Sequence, residues 1–407
     1  MKSHSRFARL GWSTLAAQVA EQLALAAAPI VAVLALAAGA AETSLLQAAQ
    51  TLPFMLFAIP IGLVIDRAPK RTVMALGEIL RATALLCLVA LLISGHLNLV
   101  MLAGLGFLGA VGTVCFTVAA PALLPLIVGP NELTSANRWL ELARSGAFVA
   151  GPALGGALVG QLGAPPAYLL AFALSAVSVA LLLTIKEPAA EPTPSRPVLA
   201  DLGEGVSFVF RHPLLRPICL TAVFFNLSWF VMHGVFVAYA ISDLAMSASA
   251  VGLVLGTYGA GLVVGAALTP ILGRVFSTGV LILIGPACGA FGSMLVLSTL
   301  WFPQPMLVVV AYFLMGAGPM VWSITTMTLR QAVTPQSMLG RVSAVIVTAT
   351  TGAAPVGAVV GAGVASTLGV GACLVLASAG FLVQLAIIAT SPARRLQHQP
   401  VVILTVT

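Results

Sequence analysis

Long apolar stretches follow one another along almost the whole chain, separated by short polar turns. A membrane-spanning helix needs about 20 mostly apolar residues. Twelve stretches meet this requirement: 10–37, 45–65, 73–94, 98–122, 138–160, 166–185, 217–241, 250–272, 278–300, 306–328, 342–367 and 370–390. Only 7% of the residues are charged, against roughly 25% in soluble domains, which is too few to cover a water-facing surface. The sequence therefore predicts an all-α membrane protein with twelve transmembrane helices.

The basic residues lie on one side of the predicted membrane. Of the 18 Lys and Arg residues, only Arg81 and Arg144 fall in the interior of predicted spans, and the others occupy the termini, the first residue of the fifth span and alternate turns. The opposite turns carry Glu42, His96 and Asp243 instead. Because cytoplasmic loops are enriched in Lys and Arg, we expect both termini on the cytoplasmic side of a bacterial cytoplasmic membrane. The scattered positive charge also argues against nucleic acid as a partner.

A polar, Pro-rich segment at 186–216 divides the spans into two sets of six. Its first half is typical of a linker, and its second half, from Val198 to Phe210, has the amphipathic spacing of a helix at the cytoplasmic interface. We expect one six-helix bundle over 1–185 and a second over 217–407. Three weak matches between the halves, each 205–207 residues apart, indicate that the two bundles are pseudo-repeats.

A short basic motif follows the second predicted span. Gly62, Asp66, Arg67, Lys70 and Arg71 resemble the Gly-x-x-x-Asp-Arg-x-x-Arg/Lys-Arg/Lys loop of the major facilitator superfamily, at the place where that superfamily carries it. The resemblance implies the major facilitator fold. It also implies gating, in which the glycine permits close packing and the Asp and Arg hold the cytoplasmic side shut. Taken alone, these residues also fit a plain basic cytoplasmic loop.

A second motif lies in the fifth span, at Gly151, Pro152, Gly155 and Gly156. It resembles the Gly-Pro-x-x-Gly-Gly element of antiporters and exporters in the same superfamily, which implies export. A kinked, small-residue helix that packs tightly against a neighbour is the alternative. Over nearly the whole chain the pattern resembles the branch that holds the enterobactin exporter and macrolide-efflux proteins. That branch carries siderophores, drugs and lipids, so the resemblance leaves the substrate open.

Two Glu-x-x-Arg pairs lie inside predicted spans, where each charge costs about 2.5–3.5 kcal/mol. Glu78 precedes Arg81, and Glu141 precedes Arg144, by three positions. Residues at this spacing are neighbours on one helix face, so each pair can neutralise itself. The pairs are interpreted either as structural or as groups of a cavity or gate.

Glu21 lies in the first span without such a neighbour, about 16 Å along the helix and near the midplane. A carboxylate buried without a cation takes up a proton more readily than one in water, which proton-coupled export requires. The alternative is a fixed ion pair with Arg81 or Arg144. Four more polar residues are candidates for the lining of the substrate cavity: Gln18, Gln22, Gln50 and Asn226.

These features predict a secondary transporter that exports an amphipathic, drug-like or siderophore-like molecule in exchange for protons, by alternating access. The expected partners are the small-molecule substrate, protons and the lipid bilayer. The chain is expected to act as a monomer without cofactor or metal. A lipid or lysolipid flippase, or an uptake permease of the same fold, is the alternative. An enzyme is not expected, because no His/Asp/Ser or metal cluster can be assembled at membrane depth.

Overall fold

The computed structural model describes residues 2–129, 132–185, 187, 198–335 and 338–397, with side chains described except at 2–6, 66–67, 134 and 198–202. The described residues form helices and no strands. The helices are Lys2–Leu36 (α1), Ala40–Arg67 (α2), Lys70–Ile93 (α3), Leu99–Ile127 (α4), Leu133–Leu162 (α5), Ala164–Leu183 (α6), Val198–Arg211 (α7), Leu215–Ser242 (α8), Ala248–Val275 (α9), Thr278–Ser298 (α10), Pro305–Val333 (α11) and Leu339–Thr390 (α12), followed by a 3-10 helix at Pro392–Arg395.

Eleven of the described helices are long and apolar enough to cross a membrane, and α7 is the exception. The longest, α12, turns at Gly369, whose φ of 81° and ψ of 175° are not helical. This turn divides α12 into two spans, so the described residues contain the twelve spans that the sequence predicts. The predicted all-α membrane fold is confirmed. Several helices run a few residues beyond the predicted ends, because the helix continues past the hydrocarbon into the polar interface.

The chain forms two compact units. The first comprises Met1–Pro194 with Gly234–Gly259, and the second comprises Ser195–His233 with Ala260–Thr407. In the first unit α1 packs against α5 and α6, and α3 packs against α4 and α6. In the second unit α10 packs against α11 and α12. The division into 1–185, 186–216 and 217–407 follows the sequence repeat and stays a prediction.

Small residues bring α3 and α4 into close contact. A Cβ atom on Gly77 would lie 2.7 Å from both Cys115 Cβ and the Gly112 carbonyl oxygen. In hydrocarbon, close van der Waals packing replaces the hydrophobic effect as the force between helices. The close packing of α3 against α4 also positions the next turn of α3, which carries Arg81. A Cβ on Gly112 of α4 would lie 3.3 Å from Arg81 Cβ. The glycines therefore help to place Arg81 in the interior of the first unit.

The linker helix α7 packs against α12 within the second unit. A Cβ on Gly205 would lie 3.0 Å from the Arg341 carbonyl oxygen, and the Arg341 side chain forms an ion pair with Glu204. The apolar side chains of Val206 and Phe210 are exposed. The predicted amphipathic helix is therefore present, and its position at the cytoplasmic interface stays a prediction.

The turn at Gly369 gives a test of this fold. Gly369→Ala should lower the free energy of unfolding by about 1–3 kcal/mol, because this φ and ψ combination is occupied almost only by glycine. Gly371→Ala is the control, because its Cβ would make an ordinary contact of 3.6 Å with Leu300. Denaturant unfolding of both purified variants in one detergent measures the difference. Equal stability would contradict a turn between two spans at this residue.

Candidate functional site

Arg81 is the centre of a buried polar network in the first unit. Its Nε donates to Ser175 Oγ at 3.3 Å, and its Nη1 donates to Thr113 Oγ1 at 3.1 Å. Its Nη2 donates to the Ala17 carbonyl oxygen at 3.0 Å and to Glu78 Oε1. The guanidinium thus joins α1, α3, α4 and α6. Because Glu78 and Arg81 are buried together and bonded, their predicted pairing is confirmed.

Glu21 lies at the edge of this network. Its Oε2 is 3.7 Å from Arg81 Nη1, and its side chain is 15% exposed, against 4% for Arg81. This distance allows electrostatic attraction but is too long for a good hydrogen bond. Arg81 is therefore the cation of the predicted ion pair with Glu21. Proton coupling through Glu21 stays a prediction.

The second Glu-x-x-Arg pair is exposed. Arg144 Nε donates to Glu141 Oε1 at 3.1 Å, and Arg144 Nη2 contacts the same oxygen. The predicted pairing is confirmed, yet the two side chains are 50% and 52% exposed. They lie inside a span that runs over Ser135–Leu162. A charge facing hydrocarbon is costly, so we expect this face of α5 to meet water.

The other predicted cavity residues are more enclosed. Gln22 is 7% exposed and Gln50 is 5% exposed, while Gln18 is half-buried. A Cβ on Gly151 of α5 would lie 2.5 Å from Gln22 Cβ, so Gln22 lies at the contact between α1 and α5. In the second unit, Asn226 Nδ2 donates to the Ala222 carbonyl oxygen of its own helix at 2.9 Å. A role for these residues in binding substrate stays a prediction.

The basic motif spans the end of α2 and the start of α3, and it is described in part. The side chains of Asp66 and Arg67 lie outside the described residues. A Cβ on Gly62 would meet open space. The gating role that the resemblance implies for these three residues stays a prediction.

The second half of the motif, Lys70 and Arg71, starts α3 and is held by Glu187. The backbone N–H groups of Lys70 and Arg71 donate to the two carboxylate oxygens of Glu187, each at 2.9 Å. Arg71 Nη1 also donates to the Ile185 carbonyl oxygen at 2.9 Å. A carboxylate at a helix N-terminus satisfies free N–H groups and interacts favourably with the helix dipole. The end of α6 is therefore fastened to the motif.

The glycines of the fifth span pack against two helices of the first unit. On one side, a Cβ on Gly155 would lie 3.0 Å from the Leu23 carbonyl oxygen of α1. On the other, a Cβ on Gly156 would lie 2.6 Å from Gly252 Cα of α9, and one on Gly252 would lie 2.6 Å from the Pro152 carbonyl oxygen. Further along, Gly259 meets the backbone of Phe148. The motif is thus a site of backbone contact between α5 and α9.

An aromatic group lies in the second unit. Trp229 stacks on His233 with ring centroids 5.0 Å apart, and Phe225 lies parallel to Trp229 at 6.3 Å. His233 Nδ1 lies 3.4 Å from Tyr312 Oη. Tyr312 is fully buried. We assign these rings to packing among α8, α11 and α12.

The sequence model of the transmembrane secretion effector family matches residues 3–402. The chain belongs to this family of major facilitator transporters. An enterobactin exporter of Citrobacter koseri, EntS, is 30% identical over 291 residues, which cover 69% of this chain and 67% of the relative. An uncharacterised transporter of the same superfamily from Sinorhizobium fredii, y4rN, is 29% identical over 289 residues, covering 68% and 69%.

Two solved structures show the same fold. A point mutant of the nucleoside transporter NupG has a TM-score of 0.77 at 12% identity, covering 94% of this chain and 99% of its own. A bacterial homologue of the iron transporter ferroportin, in an inward-facing state, has a TM-score of 0.74 at 17% identity, covering 94% and 98%. The predicted major facilitator fold and family are confirmed. The protein is a multi-pass membrane transporter and not an enzyme.

Several contacts of this transporter were not predicted from its sequence. In the sequence, Ser175 and Thr113 are small polar residues within apolar spans, and the hydropathy pattern does not link them to Arg81. Glu187 lies between a lysine and a proline in a polar linker, so only its position in space reveals its role. The contact of α9 with the fifth-span motif could have been predicted from the sequence, because Gly252 and Gly256 of α9 have the small-x-x-x-small spacing of close helix contacts.

The two Glu-x-x-Arg pairs should respond differently to loss of the arginine. Arg81→Gln leaves Glu78 buried without its cation, so it should lower the free energy of unfolding by about 3–5 kcal/mol. Arg144→Gln removes an exposed pair and should cost about 0.5 kcal/mol or less. Denaturant unfolding in one detergent compares the two. Similar losses for both variants would show that burial does not separate the pairs.

The contact between α5 and α9 gives a second test. Gly156→Ala should lower the free energy of unfolding by about 1–3 kcal/mol, because its new methyl group would overlap backbone atoms that cannot rotate away. Gly146→Ala, in the same helix, is the control, since a Cβ there would meet open space. Thermal unfolding of the purified proteins measures both. A Gly156→Ala variant as stable as the control would contradict the close approach.

Proposed function

We propose that this transporter is a proton-coupled exporter of an amphipathic small molecule, and that Glu21 carries the coupling proton. It would work by alternating access in a bacterial cytoplasmic membrane, as a monomer with both termini in the cytoplasm. One observation carries the proposal: the membrane-embedded charges of the first unit do not balance, and Glu21 is the most loosely held member of its cluster.

The charge cluster around Arg81 contains Glu21, Glu78 and Arg81. When all three are ionised, two negative charges and one positive charge leave a net charge of −1. A net charge in a low-dielectric region is expensive, and binding one proton removes it. The cluster as a whole therefore favours one exchangeable proton.

Contacts favour Glu21 as the residue that takes this proton. Glu78 is fully buried and directly bonded to Arg81, while Glu141 receives two contacts from Arg144. Glu21 has only the 3.7 Å approach of Arg81 Nη1, which is too long for a good hydrogen bond. Its partial exposure also gives water a route to the carboxylate. Protonation would free Arg81 from one attraction without breaking its hydrogen bonds, so the network could alternate between two charge states.

Two contact regions of the first unit supply candidate gates. At one end of the spans, Gly156 of α5 and Gly252 of α9 touch through their backbones. At the other end, Glu187 holds the start of α3 beside the basic motif. Alternating access requires contacts at both ends that open in turn. Backbone contact through glycines supports this role, because it can separate without breaking hydrogen bonds or ion pairs.

The direction of transport rests on the family and its members. The matching family is one of secretion effectors, and a relative with 30% identity is an enterobactin exporter. The Gly151, Pro152, Gly155 and Gly156 motif supports the same direction. The alternatives are an uptake permease or a lipid flippase of this fold. The experiment below distinguishes them from an exporter, because it measures the direction of transport.

Everted membrane vesicles test the proposal. A thermal-shift screen of siderophores, antibiotics and lysolipids on the purified protein first selects a compound. In everted vesicles respiration acidifies the interior, so an exporter should carry the compound inward while protons leave. The loss of the pH gradient is followed with acridine orange. Glu21→Gln should reduce the rate to that of vesicles without the protein.

Glu42→Gln is the matched control, because Glu42 bonds Gly39 N–H at the start of α2 and lies away from the charge cluster. It should keep the rate of the unchanged protein. An unchanged rate in Glu21→Gln would exclude proton coupling through Glu21. Movement of the compound out of preloaded everted vesicles, together with protons, would indicate uptake instead of export.

A further inference from the structure

We propose that Glu141 and Arg144 form a subsite for a zwitterionic group, so that the exported molecule is an amphipathic zwitterion with an ammonium and a carboxylate close together. This inference rests on the proposed export function and assigns a substrate class to it. Two Glu-x-x-Arg pairs occur in the spans of the first unit, and only the Glu78–Arg81 pair is buried and bonded to other helices.

The Glu78–Arg81 pair is closed to a ligand by its burial and by its bonds to other helices. Its guanidinium bonds Ser175, Thr113 and the Ala17 carbonyl group as well as Glu78. Both side chains are almost fully buried. A ligand could reach Arg81 only by replacing these contacts, so this pair is structural.

The Glu141–Arg144 pair keeps much of its capacity. Arg144 directs Nε and Nη2 to a single oxygen of Glu141, and a guanidinium has five N–H donors. Among the described residues, Arg144 Nη1 donates no hydrogen bond. With each side chain half-exposed, the pair offers free donors on the arginine and a free oxygen on the carboxylate to whatever enters from the water.

The position of the pair is that of a binding site rather than of a surface ion pair. Arg144 lies about 16 Å along α5 from Leu133, at 1.5 Å per residue, well within the span Ser135–Leu162. One helical turn further, Phe148 meets Gly259 of α9. The subsite therefore lies one helical turn from the contact between α5 and α9.

Charge balance selects a zwitterion over a simple ion. An anion that binds the free donors of Arg144 gives the neutral pair a net charge of −1, and a cation that binds the free oxygen of Glu141 gives it a net charge of +1. A net charge at membrane depth is costly. A zwitterion adds no net charge, because its carboxylate accepts from Arg144 while its ammonium donates to Glu141. The apolar spans supply the surroundings for the rest of the molecule.

Three fluorescent probes with one aromatic body and different charges test this assignment. Nε-dansyl-lysine carries an ammonium and a carboxylate, dansylcadaverine only an ammonium, and dansyl-6-aminohexanoic acid only a carboxylate. Equilibrium binding to the purified full chain in detergent at about pH 7, where both groups are ionised, is followed by dansyl emission. We expect the zwitterion to bind about tenfold more tightly than either single ion, as one added charge-assisted hydrogen bond would give.

Variants then assign the preference to the two residues. Arg144→Gln should remove the preference over the cationic probe, and Glu141→Gln should remove the preference over the anionic probe. The double exchange Glu141→Arg with Arg144→Glu should keep the preference, because the zwitterion can bind reversed. Glu204→Gln is the control, since it removes another exposed ion pair, with Arg341, and should leave all three affinities unchanged.

Equal affinity for the three probes, including no measurable binding of any of them at about 1 mM, would overturn the assignment. So would an Arg144→Gln variant that weakens all three probes by the same factor. No proton gradient is involved in this measurement. A failure of gradient-driven export therefore leaves the probe result standing, and a failure of the probe result leaves the coupling experiment at Glu21 standing.

Discussion

Hydrocarbon offers no hydrogen bonds, and this single constraint shapes the whole molecule. Every backbone polar group within the bilayer must find its partner inside the protein, which restricts a spanning chain to helices or closed barrels. The same constraint acts on charged side chains, which need a partner or water. Arg81 meets it through contacts to four helices, so the cost of burying one charge is offset by bonds that hold the first unit together.

The two Glu-x-x-Arg pairs show how one local motif can have two uses. The buried pair is locked by bonds from Arg81 to Ser175 and Thr113, and it organises helix packing. The exposed pair on α5 is locked only to itself and therefore remains available to a ligand. Glu21 lies near Arg81 and has the weakest contact of the three carboxylates, so we propose it as the place of the exchangeable proton. In this proposal the same residue types serve structure, coupling and recognition, and their burial and contacts distinguish them.

Glycine has a comparable double role. The close approaches of Gly77 to α4 and of Gly155 to α1 build the first unit, where dispersion forces depend on short distances. The Gly156–Gly252 contact joins two backbones, since neither residue has a side chain that could form a hydrogen bond or ion pair. Such a contact packs closely when closed, and its opening breaks no hydrogen bond or ion pair. These properties suit the gate that we propose.

The sequence by itself determined the class of fold, the twelve spans, the amphipathic α7 and the internal pairing of both Glu-x-x-Arg motifs. These follow from hydropathy and from residues three positions apart, which are local quantities along one helix. Only the tertiary structure decided which pair is buried, that Arg81 also reaches Glu21, and that Glu187 caps α3. Those contacts join residues that lie far apart in the chain. They depend on how helices rotate and approach, and the pattern within a single helix does not contain that information.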